Sequence, residues 1–432
     1  MLISSMLFSL CIPIGAVPAF PDTSMASGVY LWNYEHDKVI FSKSESEVIY
    51  PGSLTKMMTG LVAIDLIGER LDEEVSVTKE MLVDRNGTSM QLRVGDKLTY
   101  RDLLYGAICG GFNDAATALA VASAGDISAF VAKMNEKASL LGASNTHYTN
   151  PTGWHDDNMV TTLHDTAIIA KAAAENDLFL EVSSEASYDI EGTANLGKFT
   201  VHNRNGLIGS FYAIGYHNKR AKGLAAGMTD EAGNCVATTF EYDGLSYLLI
   251  VVGATRKDDK IFSYEIANEI ISHTINYYGE ITPIKSGDTV LQTPLHLAVS
   301  TGDDDFYMLK CTVADDLTIF TPYDSASLES IELRPYVFDD ELSAPVKKGE
   351  VIGGVDVFVD GVLRGSTSLI SSEDVEANAF LKLMKNAKKM LVSRAFIIFL
   401  ISFAVLFSIY FFTFELNDIR KRGKKIKIHK IY

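Results

Sequence analysis

The feature that most constrains this chain is an uncharged apolar segment near its C-terminus, residues 395–414 (AFIIFLISFAVLFSIYFFTF). About 20 such residues span a bilayer as an α-helix, which satisfies its own backbone hydrogen bonds in lipid. Residues 415–432, which follow, hold seven Lys or Arg and only two acidic residues. The positive-inside rule therefore predicts a basic cytoplasmic tail on a single-pass cell-membrane protein whose other residues lie outside the cytoplasm. A buried core helix is the alternative interpretation.

The N-terminus is also apolar. Residues 1–19 include the small residues Ala16, Val17 and Ala19 at a plausible cleavage site, a pattern typical of a signal peptide. A buried N-terminal strand is the alternative. Both ends together favour an exported protein that is anchored from its C-terminus.

Charge and cysteine spacing argue against nucleic acid and metal as ligands of this chain. The formal net charge is -17, and the residues before the basic tail carry a net charge near -22. Such an acidic surface repels phosphate groups, so we expect no nucleic acid partner for the outer part. Cys109, Cys235 and Cys311 have neither zinc-site nor disulfide-framework spacing, which predicts buried free thiols and no metal site.

Apolar periodicity predicts the order of elements. Residues 28–42 alternate around a His-Asp turn and indicate a hairpin, and strands are predicted over residues 233–242 and 245–255. Helical spacing is found over residues 53–67, 103–124, 127–141 and 261–278. Residues 281–371 read as short strands separated by turns, which predicts a small β-rich domain. The predicted boundaries are 1–19 for the signal peptide, 25–278 for a mixed domain, 281–371 for the β-rich domain, 373–394 for an amphipathic juxtamembrane helix, 395–414 for the membrane span and 415–432 for the tail.

One short motif is typical of nucleophilic catalysis. Ser53 and Lys56 are three residues apart at the start of a predicted helix, so their side chains share one face. A serine hydroxyl is a weak nucleophile that needs an adjacent base, and a lysine in its neutral form can be that base. A Ser-x-x-Lys sequence occurs often by chance, so its meaning depends on the surrounding sequence.

Several further segments fit one family. They are residues 50–59 (YPGSLTKMMT), 103–106 (LLYG), 113–116 (NDAA), 134–135 (MN), 141–142 (LG), 145–147 (NTH), 150–153 (NPTG), 229–233 (TDEAG) and 345–369. With these segments the chain resembles, over roughly residues 25–375, the low-molecular-mass penicillin-binding proteins, which are serine D-alanyl-D-alanine carboxypeptidases. The resemblance implies an α+β fold. Its parts are a penicillin-binding/β-lactamase-like transpeptidase domain (an antiparallel sheet with helices on both sides), a small all-β domain and the C-terminal transmembrane helix.

The resemblance also implies roles for individual residues. Ser53 would attack the D-Ala-D-Ala peptide carbonyl with Lys56 as base, and Asn113 is retained from the family's second motif, Ser-x-Asn. Backbone N–H groups of Ser53 and Met228 would form the oxyanion hole. The implied partners are peptidoglycan stem peptides and β-lactams, without a cofactor.

Two of the three family motifs are degenerate. Gly111 stands at the serine of Ser-x-Asn, and Ala225, Ala226 and Gly227 stand at the third motif, Lys-Thr-Gly. A proton-relaying hydroxyl is therefore missing, together with the cation and hydroxyl that would hold the substrate's terminal carboxylate. Strand alternation predicts that Lys222 faces away from the side chain of Ala225, which excludes a simple rescue by that lysine.

Two functions remain open at this point. One is a serine carboxypeptidase that removes the terminal D-Ala of stem peptides through an acyl-enzyme on Ser53, impaired by Gly111, Ala225 and Ala226. The alternative is a catalytically inactive, membrane-anchored pseudoenzyme that binds peptidoglycan or a cell-wall partner. From the residue chemistry we expect severely impaired catalysis.

Overall fold

The computed structural model describes residues 18–83, 86–192, 195, 197–299, 307–322 and 328–428, with side chains up to residue 420. Most of the predicted signal peptide, residues 1–17, lies outside this range. The chain divides into two compact units. The first comprises residues 1–279 with 320–325, and the second comprises residues 280–319 with 326–432.

An antiparallel sheet forms the centre of the first unit. The strands of this part of the chain are β1 (Gly28–Asn33), β2 (Lys38–Lys43), β3 (Val48–Ile49), β4 (Glu74–Ser76), β5 (Lys97–Thr99), β6 (Thr161–Thr162), β7 (Ser187–Ile190), β8 (Phe199–His202), β9 (Ala221–Thr229), β10 (Gly233–Tyr242), β11 (Leu245–Ala254), β12 (Arg256–Lys257) and β13 (Lys260–Ile261). Five of them form the sheet in the order β2-β1-β11-β10-β9. The predicted hairpin is confirmed by the pairing of β1 with β2, and the predicted strands by β10 and β11.

Helices cover this sheet. They are α1 (Thr55–Ile67), α2 (Tyr100–Ile108), α3 (Asn113–Ala124), α4 (Ile127–Leu141), α5 (Leu163–Ala174), α6 (Asp177–Ser184) and α7 (Phe262–Tyr277), with one-turn 3-10 helices at Gly52–Leu54 and Glu80–Leu82. The prediction of one continuous helical pattern over residues 103–124 is wrong. The chain breaks between α2 and α3, where Gly111 adopts a φ of 64°, a value that glycine tolerates and that no α-helix contains.

Side chains alternate between the two faces of the sheet. Tyr30 on β1 and Ile250 on β11 pack into the cluster formed with α1 to α6. Val29 and Leu249, one residue before each, pack into a second cluster with residues of α7 such as Ile270. This period-two pattern buries both faces of the sheet. The predicted α+β architecture with helices on both sides is therefore confirmed.

The second unit is built on another antiparallel sheet. The remaining strands are β14 (Tyr278–Ile284), β15 (Thr289–Leu295), β16 (Tyr307–Val313), β17 (Leu317–Pro322), β18 (Glu332–Val337), β19 (Val351–Val359) and β20 (Val362–Ser371). Five of these form the sheet in the order β15-β16-β20-β19-β18. Its core includes Leu309, Val355 and Leu369. The prediction of a small all-β domain is confirmed.

Two helices end the chain, α8 (Ala379–Val392) and α9 (Arg394–Ile428). Both leave large apolar side chains exposed, including Phe380 and Leu383 on α8. Among the described residues, α9 is the single helix that is long and apolar enough to cross a membrane. Helices α3 and α4 pass the same test only as a pair bent by 88°, and most of α3 is buried in the first unit. The structure thus agrees with a C-terminal membrane anchor.

The packing of α1 generates a stability prediction. A β-carbon at Gly60 would lie 2.5 Å from a ring carbon of Phe179, which is fully buried. Gly60→Ala should therefore lower the free energy of unfolding by about 1–3 kcal/mol through overpacking. Helix propensity alone predicts a gain of about 1 kcal/mol. Denaturant titration of the full chain in detergent measures the difference.

The matched control for this prediction is Gly197→Ala. Gly197 has no neighbour within 4 Å of the added β-carbon, so we expect its substitution to be neutral or slightly stabilising. A Gly60→Ala variant as stable as the Gly197→Ala variant would contradict the described packing of α1.

Candidate active site

Ser53 is presented by a tight turn. It lies in the 3-10 helix Gly52–Leu54, which leads directly into α1. Lys56 is the second residue of α1, one turn after Ser53, and it is 4% exposed. Gly52 has a φ of 50°, and a β-carbon there would lie 2.9 Å from the β-carbon of Ala232. The turn therefore requires glycine at residue 52.

A neighbouring loop fixes the Lys56 side chain. The Nζ of Lys56 donates a hydrogen bond to the carbonyl oxygen of Thr152 at 2.6 Å. Asn150 shapes this loop, because its Oδ1 accepts hydrogen bonds from the backbone N–H groups of Thr152 at 3.1 Å and Gly153 at 2.9 Å. Such an asparagine-centred turn aims a main-chain carbonyl in a fixed direction. Sequence reasoning did not find this contact of the loop with Lys56.

Two more glycines permit close approach to Ser53. Gly153 has a φ of 79°, and a β-carbon there would overlap the carbonyl oxygen of Gly52. A β-carbon at Gly227 on β9 would overlap the Oγ of Ser53. The loop from one side and β9 from the other therefore enclose the Ser53 turn at distances that no larger residue permits.

Strand β9 lies at the edge of the sheet. Its neighbour in the five-stranded sheet is β10 alone, and the face of β9 that carries Gly227 lies against Ser53. Met228 follows Gly227, lies opposite Asn234 of β10, and has a 57% exposed side chain. The oxyanion-hole role of the Ser53 and Met228 N–H groups stays a prediction.

The degenerate third motif has no polar side chain near Ser53. Ala225 is buried in the cluster on the side of α1, whereas Ala226 is buried in the cluster on the side of α7. By strand alternation Ala225 shares a face with Gly227, and therefore with Ser53. A lysine at residue 225 would thus face Ser53, and the alanine that stands there leaves the position without a cation.

The argument from alternation for Lys222 is wrong. Lys222 lies opposite Thr239, while Ala225 lies opposite Ala237, so β9 holds one residue more than β10 over this stretch. This β-bulge places Lys222 and Ala225 on the same face of the sheet. The lysine is nevertheless engaged elsewhere, because its Nζ forms an ion pair with Glu241 at 2.9 Å on the surface.

The second motif is joined to the preceding loop. Asn113 begins α3, is 6% exposed, and donates from Nδ2 to the carbonyl oxygen of Asn86 at 2.6 Å. Its backbone N–H donates to the carbonyl oxygen of Thr88 at 2.8 Å. The hydroxyl of Thr88 donates to the carbonyl oxygen of Gly111 at 2.9 Å. These bonds fix the backbone around Gly111 and Asn113 although the motif's serine is absent.

Sequence reasoning missed the role of Asp114. Its fully buried carboxylate accepts hydrogen bonds from the backbone N–H groups of Met90 and Leu92, each at 3.0 Å, and from the hydroxyl of Ser89 at 2.7 Å. It also lies in the first turn of α3, where the helix dipole favours negative charge. The Asn-Asp pair was the available signal, but only the asparagine was considered functional.

Burial determines the protonation state of the cysteine thiols. Cys109, Cys235 and Cys311 are free and buried, as predicted. Burial raises the pKa of Cys109 to about 12 and the pKa of Cys235 to about 11, so both thiols stay protonated at neutral pH. No group of three or more His, Cys, Asp or Glu side chains that could hold a metal ion occurs among the described residues.

Two family models match the chain. Residues 17–256 match the model described as D-alanyl-D-alanine carboxypeptidase, and residues 278–377 match that of the penicillin-binding protein 5 C-terminal domain. The chain is 30% identical to the D-alanyl-D-alanine carboxypeptidase DacC of Escherichia coli (strain K12), over 81% of this chain and 84% of the relative. It is 25% identical to DacF of Bacillus subtilis (strain 168), over 83% of this chain and 88% of the relative.

The fold is also similar to that of solved structures. Penicillin binding protein 5 from Haemophilus influenzae aligns with a TM-score of 0.58 at 24% identity, covering 83% of this chain and all of that chain (100%). The match over more than half of the sequence, the order of the elements and the Ser53 turn all agree. This chain belongs to the D-alanyl-D-alanine carboxypeptidase family of low-molecular-mass penicillin-binding proteins.

Proposed function

We propose that Ser53 attacks the carbonyl carbon between the two terminal D-Ala residues of a peptidoglycan stem peptide. The Oγ–C bond forms, the C–N bond breaks, and Lys56 carries the hydroxyl proton to the leaving amine of D-Ala. Water then hydrolyses the ester and frees Ser53. The observation that supports this best is the packing around the Ser53–Lys56 pair. Gly227 packs against the Oγ of Ser53, and the Thr152 carbonyl oxygen accepts a hydrogen bond from Lys56.

We further propose that turnover is slow. Gly111 offers no hydroxyl to relay the proton, and a missing proton-transfer group typically lowers the rate by about 10²–10⁴-fold. Ala225 and Ala226 offer no cation or hydroxyl for the substrate's carboxylate, and the loss of such electrostatic groups has an effect of similar order. Acylation depends on the Ser53–Lys56 pair and should survive better than deacylation.

A binding protein without turnover is the second candidate. The lack of polar side chains at Gly111, Ala225 and Ala226 favours it, because a cleft without the motifs' polar groups still accepts a peptide along the edge of β9. In this case the protein would hold peptidoglycan or a cell-wall partner at the membrane surface. The two candidates differ in whether a covalent bond to Ser53 ever forms.

The expected orientation completes the proposal. Helix α9 would cross the membrane once, with residues 25–371 outside the cytoplasm and the basic residues 421–430 inside. The apolar side chains of α8 would lie in the membrane interface, with Lys385 and Lys389 towards the lipid head groups. This arrangement holds the cleft on the side where the cell wall lies.

The first prediction concerns acylation. Incubation of the full chain in detergent with a fluorescent penicillin should give one adduct per molecule, detected by intact mass, because the penicillin acylates Ser53 and deacylation is slow. The Ser53→Ala variant should give none. A lack of adduct in the parent protein would leave the binding function as the better proposal, and D-Ala release from a stem pentapeptide would measure turnover.

The second prediction concerns the missing cation. Ala225→Lys should raise the acylation rate by about 10²-fold, because residue 225 shares the face of Gly227 next to Ser53. Gly111→Ser should give no comparable gain, because φ at this residue is 64° and a β-carbon there would lie 3.1 Å from Cγ of Arg204. Stopped-flow acylation by the same penicillin measures both variants. A larger gain from Gly111→Ser than from Ala225→Lys would contradict the described backbone.

The third prediction concerns orientation. An epitope added after Tyr432 should resist an external protease in intact spheroplasts and become accessible after permeabilisation, because the tail would be cytoplasmic. An epitope inserted at Gly244, in the exposed turn between β10 and β11, should be cleaved in both conditions. The reverse pattern would show that the proposed orientation is wrong.

A further inference from the structure

We propose that the loop over residues 210–216 is a second membrane contact of this protein, and that it binds the surface of a bilayer that contains anionic lipid. Its exposed apolar side chains enter the head-group region, and neighbouring cations lie beside the lipid phosphates. This inference goes beyond the function proposed above, because it concerns another surface of the first unit and requires no reaction at Ser53.

The loop belongs to a basic stretch of an acidic chain. Residues 192–229 hold five Lys or Arg and two His but no Asp or Glu. The chain has 55 acidic residues among 432, so a stretch of this length would hold about five on average. One other stretch without Asp or Glu is as long, residues 377–414, and it contains α8 and the predicted membrane span. In charge, residues 192–229 are therefore similar to the membrane anchor and unlike the rest of the chain.

Three large apolar side chains of this loop are exposed to solvent. Ile214 is 85% exposed, Phe211 is 61% exposed and Tyr212 is 41% exposed. Among the described residues, no other large apolar side chain is as exposed as that of Ile214, including those of α9. Apolar side chains that are exposed together indicate a surface that contacts a membrane or another molecule.

The rest of the loop is held against the first unit. The hydroxyl of Tyr216 accepts a hydrogen bond from the backbone N–H of Ile261 at 2.9 Å. The carbonyl oxygen of Tyr216 accepts another from Nδ2 of Asn268 on α7, also at 2.9 Å. Phe211 stacks on His202 with the ring centroids 3.9 Å apart. Because these contacts order the loop in advance, inserting its apolar side chains into a bilayer costs little additional conformational entropy.

Cations lie close to these apolar side chains. Lys219 is exposed and follows Ile214 by five residues, so their Cα atoms are at most about 18 Å apart. Lys198 and Lys222, in the same stretch, each form an ion pair with a glutamate. No such pair with a described Asp or Glu side chain is formed by Lys219 or by Arg220. The charges of Lys219 and Arg220 are therefore available to lipid phosphates.

This combination of groups matches a bilayer surface better than a soluble anion. Segments that lie in the membrane interface bury apolar side chains about 5–10 Å into the head-group boundary and place Lys or Arg on the polar side. A soluble polyanion would pair with Lys219 but leave Ile214 and Phe211 in water. The proposed C-terminal anchor also keeps the chain at a bilayer, so that a weak second contact is sufficient.

The test places a fluorescent label beside the loop and keeps its apolar side chains. The exposed Ser210 is replaced in a full-length Ser210→Cys, Cys11→Ser protein, which is labelled with NBD and reconstituted into liposomes. The native thiols at residues 109, 235 and 311 are buried and should stay unlabelled. Because an interfacial segment lies about 5–10 Å into the boundary, lipid-borne nitroxide should quench the label about two-fold or more in liposomes of equal parts phosphatidylglycerol and phosphatidylcholine. Quenching should be weaker in phosphatidylcholine alone.

A label on another surface is the matched control. Ser139 is an exposed serine beside Leu140, which is 80% exposed on α4 outside the basic stretch. The labelled Ser139→Cys, Cys11→Ser protein should show no such quenching in either lipid mixture. An exposed serine next to an exposed apolar residue is therefore compared in two electrostatic surroundings.

Further substitutions in the protein labelled at residue 210 separate the apolar and the charged contributions. Ile214→Ser should lower the quenching by about half, because an exposed apolar side chain is removed, whereas Leu140→Ser should leave it unchanged. Lys219→Gln should weaken the preference for phosphatidylglycerol, whereas Lys79→Gln, at an exposed lysine outside the stretch, should not. All four side chains lie on the surface, so the thermal unfolding temperatures should agree.

The outcomes decide between a bilayer and other partners. Equal quenching at residues 210 and 139, or quenching that persists when Ile214→Ser and Lys219→Gln are combined, would overturn the proposal. An equal response of the label at residue 210 to soluble polyphosphate in neutral detergent would indicate a polyanion site and would also overturn it. Failure of the full chain to float with the liposomes would contradict both the anchor and this second contact. None of these results depends on acylation of Ser53.

Discussion

The close approach of three backbone segments around Ser53 determines the rest of the site. The 3-10 turn, the loop that ends at Gly153 and the edge strand β9 meet where Gly52, Gly153 and Gly227 leave no room for a β-carbon. This contact places the Thr152 carbonyl on Lys56 and the backbone of β9 against the Ser53 hydroxyl. The helices and the sheet act as the support that holds these segments in place.

A site framed by main-chain groups tolerates the loss of side chains. Ala225 and Ala226 stand where the third motif has polar residues, and β9 pairs with β10 at both alanines, which are buried on opposite faces of the sheet. The second motif behaves similarly, since the backbone around Gly111 is fixed by Thr88 and by the helix start at Asn113. The backbone of this cleft therefore keeps its conformation without the polar side chains of the second and third motifs.

Much of the fold was predictable because its signals are local. Alternation in residues 28–42 and helical spacing over residues 53–67 identify β1, β2 and α1 directly. The break between α2 and α3 was missed because apolar spacing continues through Cys109, although Gly110 and Gly111 were visible in the sequence. The bulge in β9 was missed for a different reason. It depends on the pairing with β10, and a single strand read alone carries no register.

The candidate site also combines features with a local sequence signal and features that depend on tertiary contacts. Ser53, Lys56 and Asn113 followed from motif and resemblance, whereas the contact of Lys56 with Thr152 joins segments 96 residues apart and has no local signal. The contact between Arg204 and Gly111 is another example, because these residues are distant in the sequence and meet only after the chain has folded. A β-carbon at residue 111 would lie 3.1 Å from Cγ of Arg204, so a side chain there would require the arginine stem to shift. The motif alone identifies Gly111 only as a missing hydroxyl. The packing shows in addition that the Arg204 stem lies next to Gly111, so the neighbour that a side chain at residue 111 would meet is determined by the fold and not by the motif.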